Sequence, residues 1–384
     1  MLGCSAFAAQ AATDLSPANP IVVGYFGQWG VYDHFFVKNL LISGAAAQLD
    51  QINYSQGSVT GARCNIADPN ADLNLAFTAE DSVNGIADNK ASPFRGDLHQ
   101  LAELKKRYPQ LKILISLEGK ASDFAIAAQP ENRSAFVASC IDRFIRGHFA
   151  PGAEDANLFD GIDLDWEFPN ANDTANFTAL LTEFRTEMNT LTGTTGRTYQ
   201  LVADLAAGPS TPGAAADSGN DGGYDTINIS AVAAELNWMN VDGYNYDGDW
   251  TNATNDASAL YDETANPLYG TPADDIDATV QYYMAHGAPA AKYTMGFPLY
   301  GAGWAGGLTS ANGGMYQNAT GVTDGSGAMT TNGTSPVYNA NGVGYCSTGE
   351  NQGSPTAGCD LLLTDGLATY GTIEIGRASC RERV

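Results

Sequence analysis

Asp160, Asp163, Asp165 and Glu167 fall within FDGIDLDWEFP, residues 159–169, a run that otherwise reads as a buried strand. Asp163, Asp165 and Glu167 lie two apart, so an extended backbone projects all three from one face. Stacked carboxylates repel one another, which raises at least one pKa and holds a proton near neutral pH. General acid catalysis needs such a proton. Two other readings stand beside this one. A structural ladder would have to satisfy each acid with Ser, Tyr or backbone donors, because unpaired buried charge is costly. A divalent metal site would need oxygens converging on one point, whereas acids about 7 Å apart along a strand face do not converge unaided.

Short apolar runs alternate with amphipathic stretches along the chain, the pattern of repeated β-α units. Strands are predicted at 21–26, 50–57, 111–119, 159–167, 199–208, 238–247 and 293–301, seven in all. Helices fill the gaps. Asp173 stands where it can cap a helix carrying Phe177, Leu180, Leu181, Phe184, Met188 and Leu191 at helical spacing. Leu98, Leu101 and Leu104 mark a second helix, and Ile276, Val280, Tyr283 and Met284 a third that Gly287 closes. From Ala302 to about Thr364 the chain is polar and rich in Gly, Asn, Thr and Ser, which reads as an insertion after the seventh strand. At 384 residues the fold class expected is α/β, a (β/α)8 TIM barrel lacking its eighth β-α unit. Catalytic residues in such a barrel stand at the C-terminal strand ends. Glu167 would then be highest at the mouth, with Asp165 beneath it and Asp163 deeper, while Ile162, Leu164 and Trp166 face the helices.

A formal charge of -25 argues against nucleic acid and anionic membrane surfaces and is compatible with a neutral polysaccharide. No stretch is long and apolar enough to span a bilayer. Residues 1–20 read as the remnant of a secretion leader, with small apolar residues before Ala12, so export is expected. Leu2-Gly3-Cys4 also resembles a lipoprotein cleavage site. Of the six cysteines, none forms a CxxC pair, so zinc is not expected. Cys346 and Cys359 bracket a loop poor in core residues that a disulfide would staple. A bridge between Cys64 and Cys140 is possible but has no support from spacing.

The acid run resembles the DGxDxDxE signature of glycoside hydrolase family 18, the chitinase family. IVVGYFGQWGVY at 21–32, LKILISLEG at 111–119, FVASCIDRFI at 136–145 and GFPLYGAGW at 296–304 also resemble bacterial chitinases. The resemblance implies Glu167 as the general acid and Asp165 as the group that orients the substrate's N-acetyl arm and stabilises an oxazolinium intermediate. It implies Asp163 as the deeper partner of Asp165, and Tyr244 as a donor to the acetamido oxygen. Asp160 is expected to be structural. Tyr25, Trp29, Asn245, Trp250 and Trp304 are the expected substrate-binding residues, with Phe26 and Tyr32 as further aromatics able to stack on sugar. No cofactor and no metal is implied, and a monomer acting on chitin and chito-oligosaccharides is expected.

The chain departs from the family pattern in places. The sixth strand usually reads MxYD, and this chain has Asp242 and Asn245 around the Tyr. The third reads SLEG instead of SxGG, which puts Glu118 close to the expected barrel floor. Three functions compete: a secreted chitinase, an endo-β-N-acetylglucosaminidase on glycoprotein glycans, and a non-catalytic chito-oligosaccharide binder. Retention of the acids and Tyr244 argues against the binder, and the GYFGQWGVY and GFPLYGAGW segments favour chitinase. The expected organisation is a leader at 1–20, a catalytic barrel at 21–301 and an incomplete insertion subdomain at 302–373. The tail EIGRASCRERV, 374–384, has a codon reading that resembles a sequencing adaptor, so the natural chain is expected to stop near Ile373.

Overall fold

The computed structural model describes residues 21–211, 213–214, 221–247, 254–262, 275–298, 309, 311 and 315–318, with the backbone of short strands between 300 and 369. Cys346, Cys359, Trp250, the side chain of Trp304 and the segments 1–20 and 374–384 lie outside the described residues. Two compact units are present. The first comprises Met1–Ala206, Ser210–Asn240 and Tyr283–Thr294; the second comprises Ala207–Pro209, Val241–Tyr282 and Met295–Val384.

The seven predicted strands all form. In chain order they are β1 (Val23–Gly27), β2 (Gln51–Thr60), β3 (Lys112–Glu118), β4 (Gly161–Leu164), β5 (Gln200–Leu205), β6 (Trp238–Val241) and β7 (Tyr293–Met295). They line up in that order in one sheet, with a short antiparallel strand, Arg63–Ile66, on β2. The pairs from β1 to β5 are parallel. Both faces of such a sheet are covered, so strands read as apolar runs on one face and buried polar residues on the other. In β3, Ile113, Ile115 and Leu117 pack outward and are fully buried. Leu114 faces inward with Val202 and Trp238, and with Ile21 and Val23 packed against them this forms an apolar layer. Ser116 and Asp163, one strand step further along, are buried and polar.

The helices cover the outer face. Besides a short helix at Val37–Ile42, the α-helices among the described residues are α1 (Gly96–Arg107), α2 (Ala121–Ala127), α3 (Pro130–Cys140), α4 (Thr174–Thr195), α5 (Ile229–Glu235) and α6 (Ile276–Ala285). On α4 the residues Phe177, Leu180, Leu181, Phe184 and Met188 are buried, as the spacing predicts, while Leu191 is only half-buried. Asp173 sits at the first position without making the expected side-chain cap. Its φ of -93° and ψ of -14° are helical instead of extended, and its carboxylate accepts from the Asn170 N–H at 3.2 Å. Gly287 closes α6 with φ +95°, a conformation that costs glycine little. Met284, expected on the apolar face of that helix, is exposed instead.

Cys64 and Cys140 form a disulfide across 76 residues, joining the short strand beside β2 to the end of α3. A loop of that length contributes about 4 kcal/mol by restricting the unfolded chain. The strand spacing gave this pair no support because only the packing of α3 against β2's neighbour brings it together.

Behind β2 lies a second acid group. Tyr54 is fully buried and donates to Asp72, and Asp97 in the first turn of α1 is buried beside them. Burial pushes Asp97 up to about 8, helped by the Asp72 charge, and pushes Asp72 up to about 7. Below pH ~4 such a group is protonated in both folded and unfolded chains and has no effect on stability. As pH rises toward 8 the unfolded chain gives up its proton first, so stability falls across that window. Asp97→Asn should therefore raise the unfolding midpoint at pH 9, by roughly 2 kcal/mol or more in stability, and change it little at pH 4. A gain confined to pH 4 in thermal melts would contradict this.

Candidate active site

β4 ends at Leu164, yet the Asp165 N–H still donates to the Leu117 carbonyl at 3.0 Å. Asp165, Trp166 and Glu167 thus continue from the C-terminal end of the strand, and a cis peptide joins Glu167 to Phe168. Trp166 turns outward as expected. It is buried, stacks on Phe124 of α2 at 5.5 Å and meets Phe177 of α4 edge-on. Ile162 and Leu164 are buried likewise.

Asp163 is fully buried and receives donors from four other strands. Its Oδ2 accepts from the Tyr25 hydroxyl at 2.8 Å, Asn53 Nδ2 at 2.9 Å and Ser116 Oγ at 3.0 Å. Asn240 Nδ2 donates to its Oδ1 at 3.2 Å and to the Tyr25 hydroxyl at 3.0 Å. That β1 and β6 both reach one residue of β4 means the sheet is curled. Burial pushes Asp163 up to about 6, and the four donors restrain it from going higher. Tyr25 has a half-exposed ring, but its hydroxyl is enclosed by this network. Enclosure and the charges of Asp163, Asp204 and Asp165 raise the phenol well above its ordinary range.

Above Asp163 the acids converge. Carboxylate oxygens of Asp165, Glu167 and Asp204 lie within 4.8 Å of one another. This corrects the expectation that acids along one strand face stay apart: the regular strand stops at Leu164, and the third acid comes from β5. Glu167 is exposed as a whole side chain, whereas Asp165 is half-buried and Asp204 buried. The protein packed around the Glu167 carboxyl raises its pKa.

Glu118 also belongs here. It is the last residue of β3, at the C-terminal end of the sheet and not at its floor. Ser55 donates to it, and burial together with the Glu167 and Asp163 charges pushes it up to about 7. Asp160 stands at the opposite end of β4. Lys105 at 2.5 Å, Arg197 at 3.5 Å and the Ile113 N–H at 3.0 Å hold it there.

The full length from 21 to 353 matches the sequence pattern of Glycosyl hydrolases family 18. The chain belongs to this family. It is similar to Chitinase C of Streptomyces lividans, 35% identical over 312 residues, 79% of this chain and 46% of that protein. It is also similar to Chitinase 63 of Streptomyces plicatus, 34% identical over 305 residues, 78% of this chain and 47% of that one. The chain spans just under half the length of these curated relatives. Among solved structures, the catalytic domain of psychrophilic chitinase B from Arthrobacter TAD20 superposes with a TM-score of 0.67 at 34% identity, covering 78% of this chain and 75% of that one.

Of the residues that the family signature singles out, Asp163, Asp165 and Glu167 share the first unit with Tyr25 and Trp29. Trp29 and Tyr32 are exposed, and Tyr32 donates to Asp68. Phe26 is a core residue against Phe35 and Tyr54, because its side chain falls on the outer face of β1. Tyr244 and Asn245 belong to the second unit. There Tyr244 is half-buried with its ring against Gly296, where a Cβ would sit 2.9 Å from it. Asn245 is exposed with φ +59°, and Asp242 is buried. The Trp304–Ala305 backbone pairs with Gly321–Thr323. Sequence reasoning passed over Asn53, Ser116, Asn240 and Asp204. For Ser116, Asn240 and Asp204 the signal was a polar residue inside an apolar strand, at the inward step of the two-residue period, whereas Asn53 lies in a strand with several other polar residues and gave no such signal.

Proposed function

We propose that this family 18 chain is a chitinase that hydrolyses β-1,4-linked N-acetylglucosamine with retention, using the substrate's own acetamide as nucleophile. The observation that carries the reading is the approach of Asp165 and Glu167 to within 4.8 Å above a buried Asp163. Inverting glycosidases keep their acids about 6.5–9.5 Å apart to admit a water, so this pair is too close for that geometry. In the proposed reaction Glu167 gives its proton to the glycosidic oxygen as the C1–O bond breaks. The acetamide oxygen bonds to C1, and Asp165 stabilises the resulting oxazolinium. Glu167, now a carboxylate, then takes a proton from water as that water attacks C1 and reopens the ring. Asp163 holds Asp165 in place, Tyr244 donates to the acetamido oxygen, and Tyr25, Trp29, Asn245, Trp250 and Trp304 contact sugar. Asp160, tied to Lys105 and Arg197, supports the strand from below.

The Cys64–Cys140 bridge supports a secreted protein, since disulfides persist in oxidising compartments. Among the described residues no helix is long and apolar enough to cross a membrane. The test is incubation with chitin oligomers and, in parallel, with a high-mannose glycopeptide, products identified by mass and each reaction repeated in EDTA. Shortened N-acetylglucosamine oligomers, an intact glycopeptide and indifference to EDTA are expected. Glycan release would favour the endo-β-N-acetylglucosaminidase, binding without cleavage the non-catalytic binder. Loss of activity in EDTA, restored by calcium, would turn the three converging carboxylates into metal ligands.

A further inference from the structure

The geometry points to Asp204 as a positioning residue for the acid pair, a third carboxylate supplied by β5 that disfavours loss of the Glu167 proton. This inference rests on the reading of Glu167 as the general acid.

Register places Asp204 where it can act. Asp163 pairs with Val202 and Leu164 with Ala203, so Asp204 stands one step past the ladder, level with Asp165. Val202 faces the inner apolar layer, and two residues on, Asp204 faces the same way. It is only 6% exposed, and an oxygen of its carboxylate lies within 4.8 Å of both Asp165 and Glu167. One of its oxygens accepts from the Leu205 N–H at 3.1 Å. Three carboxylates in so small a space do not all ionise together, because each negative charge disfavours the next.

The surrounding groups reinforce this. Around the Glu167 carboxyl stand Asp165 on its own segment, Asp204 from β5 and Glu118 from β3, while Tyr25 from β1 lies among Asp163, Asp165 and Asp204. The charges that weigh on Tyr25 and on Glu118 are all carboxylates. Neutral donors, Ser55, Asn53, Ser116 and Asn240, satisfy the lower acids without bringing positive charge. Asp204 is thus a further acid in a site already lined by acids.

Removing the Asp204 charge lowers the pH at which Glu167 gives up its proton. In Asp204→Asn the alkaline limb of kcat/KM on a chito-oligosaccharide should move down by about one pH unit. The rate at pH 8 should fall about tenfold while the rate at pH 5 stays within about threefold. Asp204→Glu, which keeps the charge, should restore the limb. A uniform loss at every pH, an unmoved limb, or an unfolding midpoint that collapses in the Asn variant would overturn the proposal, the last by assigning Asp204 to folding. Glu167→Gln is measured beside them. If that variant stays active, the general-acid reading itself fails; if it is inactive and the Asp204→Asn limb is unmoved, only the present inference fails.

Discussion

Glu167→Gln is expected to lower turnover on chitin oligomers by 10²- to 10⁴-fold or more while changing oligosaccharide affinity by less than about threefold. The amide keeps the size and hydrogen-bonding reach of the acid but has no proton to give. The amide fits the same space, since the residue as a whole is exposed at the end of the segment following β4. Trp166, whose burial between Phe124 and Phe177 anchors that segment, is untouched. Gln places no charge beside Glu118 at any pH, so the variant should melt no lower than the parent. Single-turnover hydrolysis and binding by calorimetry check both halves. A variant keeping a tenth of the parent's turnover would remove Glu167 from the role of acid.

Deacetylated substrate should fail completely at the sugar that would form the oxazolinium. Glucosamine has an ammonium group in place of the acetamide, so no oxygen is available to bond C1 as the leaving group departs. Asp165, within 4.8 Å of Glu167, would still not replace it, because it is held as a neighbour of the acid and shares that space with Asp204. On partially acetylated chitosan, every new reducing end should therefore be N-acetylglucosamine. Sequencing the products by mass checks this. A substantial fraction of glucosamine reducing ends would show that a protein carboxylate serves as nucleophile, as in ordinary retaining glycosidases.

Seven strands and three of the helices were legible because periodicity records burial. A parallel strand covered on both faces reads as an apolar run, and β3 is such a run. A helix against a sheet reads as apolar residues three and four apart, and α4 is such a helix. The acids were legible for the same reason. Asp163, Asp165 and Glu167 interrupt an apolar strand at the two-residue step, and burying charge there has no purely structural motive. Periodicity is blind, however, to what neighbouring strands bring alongside. The sequence by itself determined that Glu167 would stand at a strand end with acids behind it. Only the tertiary structure decided that Asp204 from β5 and Glu118 from β3 would crowd it, and that Tyr25, Asn53, Ser116 and Asn240 would meet on Asp163. The Cys64–Cys140 bridge was decided there too, across a separation of 76 residues that no local pattern records. The bridge depends on how a helix packs against a strand, whereas the two acid groupings share one physical reason. Local pattern fixes which face a residue takes, while register between strands distant in sequence fixes which residues share that face, and register is a property of the assembled sheet.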